Sequence, residues 1–320
     1  MMSPTTTDLA ALAGAVLLAA AGGEAFLKGI LGTALHLRVP KLLVATTLAA
    51  FATSSPELTV STLAALAGQP EIGLGDALGS NVVNIALIFG LALLFGPIKA
   101  ARRELGRDFV LALSVPLLTL WFARDGRLSS GDGALLLVLF AGWIALAMRA
   151  AASHREAAVA TDIDIGTVRP LAALLYGIGG LAALIAAGRL FVVGAGGIAT
   201  SLGIDTYVIG ATVVAIGTSL PELVTVILAR LRGHDDVSVG TLLGSNLFNG
   251  LTVVGVAASI HPIQAPTLEI AVTLGCGVAA LLLLIPNRTG QIPRARGLLL
   301  LLLYTGFVWA TFAAGHNPVT

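Results

Sequence analysis

The sequence predicts an all-α polytopic membrane protein with ten transmembrane helices in two inverted five-helix repeats. Three observations predict it. Hydrophobic residues make up 57% of the chain and charged residues 11%, where a typical soluble domain carries roughly 25% charge. Apolar runs of about 20 residues, each enough to cross about 30 Å of hydrocarbon, follow one another from end to end. One block is present twice: residues 45–90 and 210–255, 165 positions apart, match at 18 of 46 positions without a gap. A β-barrel would show short alternating segments instead. The 38 glycines suit close packing of membrane helices.

The elements follow in order. The first span, 9–34, begins the apolar sequence at Leu9 and carries Gly23, Phe26 and Gly29. The residues before it hold no basic segment, so no cleavable signal peptide is expected and this run is read as a retained span. The second span, 41–68, contains Thr-Ser-Ser-Pro-Glu at 53–57, and the third, 72–97, contains Gly-Ser-Asn-Val-Val-Asn at 79–84. Spans four and five cover 108–123 and 130–150. The polar stretch 151–169 is too short for a folded regulatory domain. It divides the chain into an N-terminal half, 1–160, and a C-terminal half, 161–320, with one copy of the repeated block in each. Span six, 170–200, carries Gly188, Phe191 and Gly194 at the 165-residue offset from the three span-one residues. Span seven, 206–231, has Thr-Ser-Leu-Pro-Glu at 218–222, and span eight, 237–260, has Gly-Ser-Asn-Leu-Phe-Asn at 244–249. Spans nine and ten cover 266–286 and 297–315, and the Leu run 298–303 reads as a lipid-facing anchor.

Equivalent spans lie five apart, an odd number, so the two halves have opposite orientations in the bilayer. In that architecture the binding site is expected at the repeat interface near the midplane. Basic residues set the orientation. Alternate loops, from Arg38 and Lys41 to Arg288, Arg294 and Arg296, hold 14 of the 18 lysines and arginines, and the opposite loops hold only Arg124 and Arg127. The positive-inside rule places the basic side in the cytoplasm and both termini outside. The chain is thus expected as a multi-pass protein of the cytoplasmic (inner) membrane, with the lipid bilayer as its partner.

Glu57 and Glu222 lie inside apolar sequence, where a carboxylate is expensive to keep and marks a functional site by default. Each follows a proline, which removes a backbone donor and clashes with the preceding turn. Backbone carbonyls about a turn earlier, those of Ala50 and Ala215, are therefore expected to lack helical partners and to be open to a cation. Thr53, Ser54, Thr218 and Ser219 add hydroxyls. Ser80 with Asn84, and Ser245 with Asn249, are spaced i, i+4 and so share a helix face. Asn81 and Asn246 project to another side and are expected to bond between helices. This set of oxygens, with no thiol in either repeat and no histidine in either repeat core, suits a hard cation. Ca²⁺ takes six to eight oxygens in flexible geometry, while Mg²⁺ prefers a tighter octahedron. Zn²⁺ and Cu⁺ favour Cys, His or Met.

These motifs resemble the α-repeats of the calcium/cation antiporter superfamily, in particular the prokaryotic sodium/calcium exchangers. The family pattern Gly-Thr-Ser-Leu-Pro-Glu, followed further on by Gly-Ser-Asn, is met fully at Gly217–Glu222 and Gly244–Asn246. The first repeat departs from it at Ala52 and Ser55. The resemblance implies that Glu57 and Glu222 bind Ca²⁺ directly, with the carbonyls of Thr53 and Thr218 completing that site. It implies flanking Na⁺ sites at the Ala50 carbonyl with Ser80 and at the Ala215 carbonyl with Ser245. Ser54, Ser219, Asn84 and Asn249 would line the middle. Some relatives carry Asp where this chain has Asn249, so a neutral ligand is expected there. The resemblance also implies that spans one and six slide over the remaining spans.

The expected function is Ca²⁺/Na⁺ antiport, exporting Ca²⁺, since two bare carboxylates at mid-membrane are neutralised equally by Ca²⁺ or by two or more Na⁺. H⁺/Ca²⁺ antiport is the alternative, and a passive cation channel a weaker one. No enzyme chemistry is expected, nor a cofactor, a nucleic-acid partner or a protein partner, because no nucleophile–base pair, ATP-binding loop or basic cluster is present. Among the other charges, Glu24 and Lys28 are expected as a local i, i+4 ion pair. Arg189 is expected to snorkel. Asp76 stands one turn before Ser80 and reads as a solvated charge or a cation-attracting entrance. Asp235 and Asp236 read as solvated loop charges.

Overall fold

A computed structural model describes residues 6–100, 102–159, 169–201, 215–265 and 267–315. Ten helical spans run through them. They are Thr6–Leu37, 41–66, Pro70–Leu94, Arg102–Phe122, Ser130–Val159, Pro170–Ser201, 215–231, Asp235–Ile260, Thr267–Leu283 and Ala295–Gly315. The expected boundaries hold to within a few residues at most ends. The expected start of span seven, 206–214, lies outside the described residues, as do residues 160–168 of the polar stretch that joins the halves.

Six spans run unbroken for 20 to 32 residues with strongly apolar composition, long enough to cross a bilayer. Their burial pattern is inverted relative to a soluble protein. Leu17, Leu302 and Trp309 are 71%, 68% and 73% exposed, while Glu57 and Glu222 are 1% exposed. Such an exterior is stable in lipid, where apolar side chains meet hydrocarbon and polar groups turn inward.

Spans two and seven are interrupted at equivalent residues. Ser54 (φ −87, ψ 9) and Ser219 (φ −84, ψ 11) leave the helical region for the bridge region. A new helix then starts in each case, Ser55–Leu66 and Leu220–Leu231. Spans three and eight widen instead. Each contains a π-helical segment, Val83–Phe89 and Asn249–Val253, beginning at or one residue before the equivalent Asn84 and Asn249. A third π segment, Ala45–Ala49, precedes the break in span two.

The chain forms two compact units, and each draws on both halves of the sequence. The first comprises 1–56 and 143–241, the second 57–142 and 242–320. In the first unit, spans one and six pack along their length through glycines. A Cβ on Gly29 would stand 2.5 Å from the Gly177 backbone, and one on Gly180 would run into Phe26 N. Phe26, Ile30, Val44, Leu184, Ala229 and Val237 form its apolar core. In the second unit two short antiparallel ladders tie loops of one half to loops of the other. Strand β1 (Ile98–Lys99) pairs with β4 (Gln291–Ile292), and β2 (Arg127–Leu128) with β3 (Ile263–Gln264).

One expectation about surface charge holds with an added partner, and one changes. Glu24 does meet Lys28 at 3.6 Å, but it also accepts from Arg232 at 2.8 Å, 208 positions away. Asp235 is not a solvated loop charge: it opens the span-eight helix and pairs with Arg230 at 2.9 Å, each side chain 16% exposed. The turn between spans seven and eight is short enough to fold the arginine back onto that helix start, where an acidic residue is favoured by the helix dipole. Beside them, burial and the neighbouring Lys41 hold the His234 imidazole below its ordinary value, and Asp236 partly offsets this.

Candidate ion-binding site

The serine breaks place each glutamate in the first turn of a restarted helix. A helix N-terminus carries partial positive charge and stabilises a carboxylate beside it. Each buried carboxylate thus sits in the helix turn that favours its charge, and broken helices are a recurring way to build ion sites in transporters.

Of the residues expected at the site, the first unit holds Ala50, Thr53, Ser54, Ala215, Thr218, Ser219 and Glu222. Ser54 Oγ, from the first repeat, donates to Glu222 Oε1, from the second, at 3.2 Å, with both residues buried. The hydroxyl at the equivalent position, Ser219 Oγ, is buried and makes no hydrogen bond. Thr53 is also buried. Ala215 lies in the helical segment Ala215–Thr218.

The expectation that Ala50 offers a free carbonyl is corrected. Ala50 O accepts from Ser54 N at 3.0 Å and from Thr53 Oγ1 at 3.3 Å. The donor that Pro56 lacks would have served the residue four earlier, Ala52. There Ser55 Oγ stands in, donating to Ala52 O at 2.7 Å. The second repeat has Leu220 in place of Ser55. Its corresponding carbonyl, Gly217 O, faces Gly188 of span six so closely that a Cβ on Gly188 would collide with it. The departure of the first repeat from the motif is thus a hydroxyl cap on a proline-orphaned carbonyl.

The second unit holds the other expected site residues, Glu57, Ser80, Asn84, Ser245 and Asn249, all buried. The expectation that Asn81 and Asn246 bond between helices holds. Asn81 Nδ2 donates to Asn246 O and Asn246 Nδ2 to Asn81 O, both at 3.2 Å, so spans three and eight are joined by two bonds that the repeat maps onto each other. Asn84 Nδ2 donates to Asn246 Oδ1 at 3.1 Å. Both polar atoms of Asn249, and Oδ1 of Asn84, are buried without a hydrogen bond. Such atoms are rare in a native interior and call for a ligand or water.

Apart from Asp76, the other buried polar groups near the motifs were not singled out by the sequence. Ser61 and Thr225 stand about one turn beyond Glu57 and Glu222, fully buried, with unbonded hydroxyls. Ser61 Oγ occupies the space a side chain on Gly73 would fill. Thr241 stands one turn before Ser245 at the position equivalent to Asp76, and the buried oxygens Thr241 Oγ1 and Asp76 Oδ2 both lack hydrogen bonds. The i, i+4 spacing to the motif residues was the available signal for most of these. Among the described residues no group of three His, Cys, Asp or Glu side chains that could hold a metal ion is present; the oxygens of the two motifs are of the kind a hard cation takes.

Comparisons with known proteins bear on the fold and the family. The family described as sodium/calcium exchanger protein matches residues 7–149 and 172–313, nearly the whole chain. The inner membrane protein YrbG of Escherichia coli is 36% identical over 233 residues, covering 70% of this chain and 71% of its own length. The sodium/calcium exchanger MaX1 of Methanosarcina acetivorans is 28% identical over 334 residues, covering 91% of this chain and 94% of its own. A solved structure of the sodium-calcium exchanger NCX_Mj, soaked with Na⁺ and Sr²⁺, superposes with a TM-score of 0.81 at 28% identity, covering 97% of this chain and 99% of that one. With buried glutamates in restarted helices at two repeat-related positions of a ten-span membrane protein, the chain belongs to the sodium/calcium exchanger family of membrane cation antiporters.

Proposed function

We propose that this protein exchanges Ca²⁺ for Na⁺ across the cytoplasmic membrane, with Ca²⁺ leaving the cell. The single observation that carries the reading is the pair of buried glutamates, Glu57 and Glu222, each in the first turn of a helix restarted after a serine break. Two such carboxylates match the charge of one Ca²⁺ or of two Na⁺, and the bare, doubly negative protein is the form least able to carry its site across hydrocarbon. Exchange rather than leak follows from that difference.

In this reading Glu57 and Glu222 bind Ca²⁺ directly, together with the carbonyls of Thr53 and Thr218. Na⁺ takes the Ala50 carbonyl with Ser80 and the Ala215 carbonyl with Ser245. Ser54, Ser219, Asn84 and Asn249 line the centre. Ala50 O serves Na⁺ by giving up the Thr53 hydroxyl, the longer of its two hydrogen bonds. The basic loops face the cytoplasm and the termini the outside.

The test is ⁴⁵Ca²⁺ uptake into proteoliposomes loaded with Na⁺, K⁺ or an acid interior. Uptake that requires an outward Na⁺ gradient supports the reading. Uptake driven by the acid interior without Na⁺ assigns H⁺/Ca²⁺ exchange instead. Uptake without any counter-ion sinks antiport.

A further inference from the structure

The asparagines of spans three and eight form a chain of hydrogen bonds with a direction. Asn246 Nδ2 donates to Asn81 O, which fixes the Asn246 amide and leaves its Oδ1 as an acceptor. That oxygen takes Asn84 Nδ2 at 3.1 Å. The two ends of an amide are chemically opposite: the oxygen binds a cation and the NH₂ group repels it. By holding the NH₂ group of Asn84, Asn246 turns the other end away from itself. Asn84 Oδ1 is then the end left over, buried and without a hydrogen bond.

The image of this bond under the repeat would run from Asn249 Nδ2 to Asn81 Oδ1, and it is not made. Asn249 Nδ2, Asn249 Oδ1 and Asn81 Oδ1 are all buried without partners. The two amides that the repeat makes equivalent are therefore held differently. Asn84 is fixed by a neighbour, while Asn249 is restrained only by packing. Both stand where their helices widen into π segments, a feature that often marks functional positions.

We propose that Asn246 is a positioning residue that presents Asn84 Oδ1, and not its NH₂ group, to the transported Ca²⁺. This rests on the reading above that Asn84 lines the ion site. Ca²⁺ needs more oxygens than Na⁺ can use, so losing one oriented oxygen weakens Ca²⁺ more than its competitor.

A double-mutant cycle on the full-length protein tests this. The readout is equilibrium ⁴⁵Ca²⁺ binding in Na⁺-free detergent solution, followed by displacement with Na⁺. Asn246→Leu and Asn84→Ala are each expected to raise the half-saturating Ca²⁺ concentration about tenfold, the equivalent of one charge-assisted hydrogen bond. The double variant is expected to be no worse than either single one, because contacting residues acting through one another are not additive. Asn81→Leu keeps the backbone oxygen that orients Asn246, so it is expected to lower thermal stability and leave Ca²⁺ half-saturation within about twofold. Additive losses in the cycle, or an Asn81→Leu shift as large as that of Asn246→Leu, would overturn the proposal, since either outcome makes the asparagines a clasp only. If Asn246→Leu does not assemble, Asn246→Thr takes its place, being too short to reach either partner. The control separates this from the site itself. If Glu57→Gln binds ⁴⁵Ca²⁺ as the wild type does, the assignment of the ion site fails; if Glu57→Gln abolishes binding and the cycle is additive, only the role of Asn246 fails.

Discussion

In the proposed function Glu57 and Glu222 carry the charge that the bound ions neutralise, and an amide in their place keeps shape while removing charge. Glu57→Gln and Glu222→Gln are therefore expected to fold and to reduce ⁴⁵Ca²⁺ uptake by at least about a hundredfold, as the loss of a fully desolvated charge partner does. Uptake within a few fold of wild type in either variant would remove that glutamate from the site. The two break serines are chemically identical yet differently engaged. Ser54 Oγ donates to a carboxylate oxygen, whereas Ser219 Oγ is buried without a bond. In ion-free detergent, Ser54→Ala should lower stability by roughly 1.5–3 kcal/mol, the range for hydrogen bonds to charged groups, while Ser219→Ala should be neutral or stabilising because it removes an unsatisfied hydroxyl. Thermal unfolding of the pair decides this, and equal losses would contradict the asymmetry.

Spans one and six meet backbone to backbone, and their glycines are not interchangeable. A Cβ at Gly29 or Gly180 would collide with backbone atoms of the other span, whereas at Gly177 the nearest atom is 4.0 Å away and at Gly179 nothing lies within 4 Å. Gly29→Ala and Gly180→Ala should therefore destabilise by about 1–3 kcal/mol, the range for overpacking, while Gly177→Ala and Gly179→Ala should be tolerated. Melting temperatures of the four variants would show two low and two near wild type; a uniform result would mean that the spans do not pack this way. The existence and order of all ten spans, and the break beside each glutamate, were legible in apolar runs and in a motif written twice. The π segments at Asn84 and Asn249 were not, because a widened turn leaves no trace in hydrophobic periodicity. Nor was the fate of the proline-orphaned carbonyl. The count that assigns it to Ala52 rather than Ala50 is simple, but the cap from Ser55 depends on a rotamer that the sequence does not reveal. The bond from Asn84 to Asn246 was hidden for a third reason, since it joins residues 162 positions apart.

Neither compact unit is built from one half of the chain. The apolar core of the first unit combines Phe26, Ile30 and Val44 with Leu184, Ala229 and Val237, and both β-ladders of the second pair one half with the other. Expressed alone, 1–160 or 161–320 would leave these partners exposed and should be degraded. Expressed together as two chains, they should assemble, purify as a pair through a tag on either one, and transport; independent accumulation of one fragment as a folded protein would contradict the interlocked build. The same feature speaks to ancestry. If half a chain is not a foldable object, a five-span precursor had to work as two copies inserted in opposite directions, and such a molecule needs lysines and arginines divided evenly enough for either insertion. Each half now carries its own strong bias, of opposite sense when read in its own direction. Fusion would permit such a bias, since one sequence would then no longer have to serve both orientations.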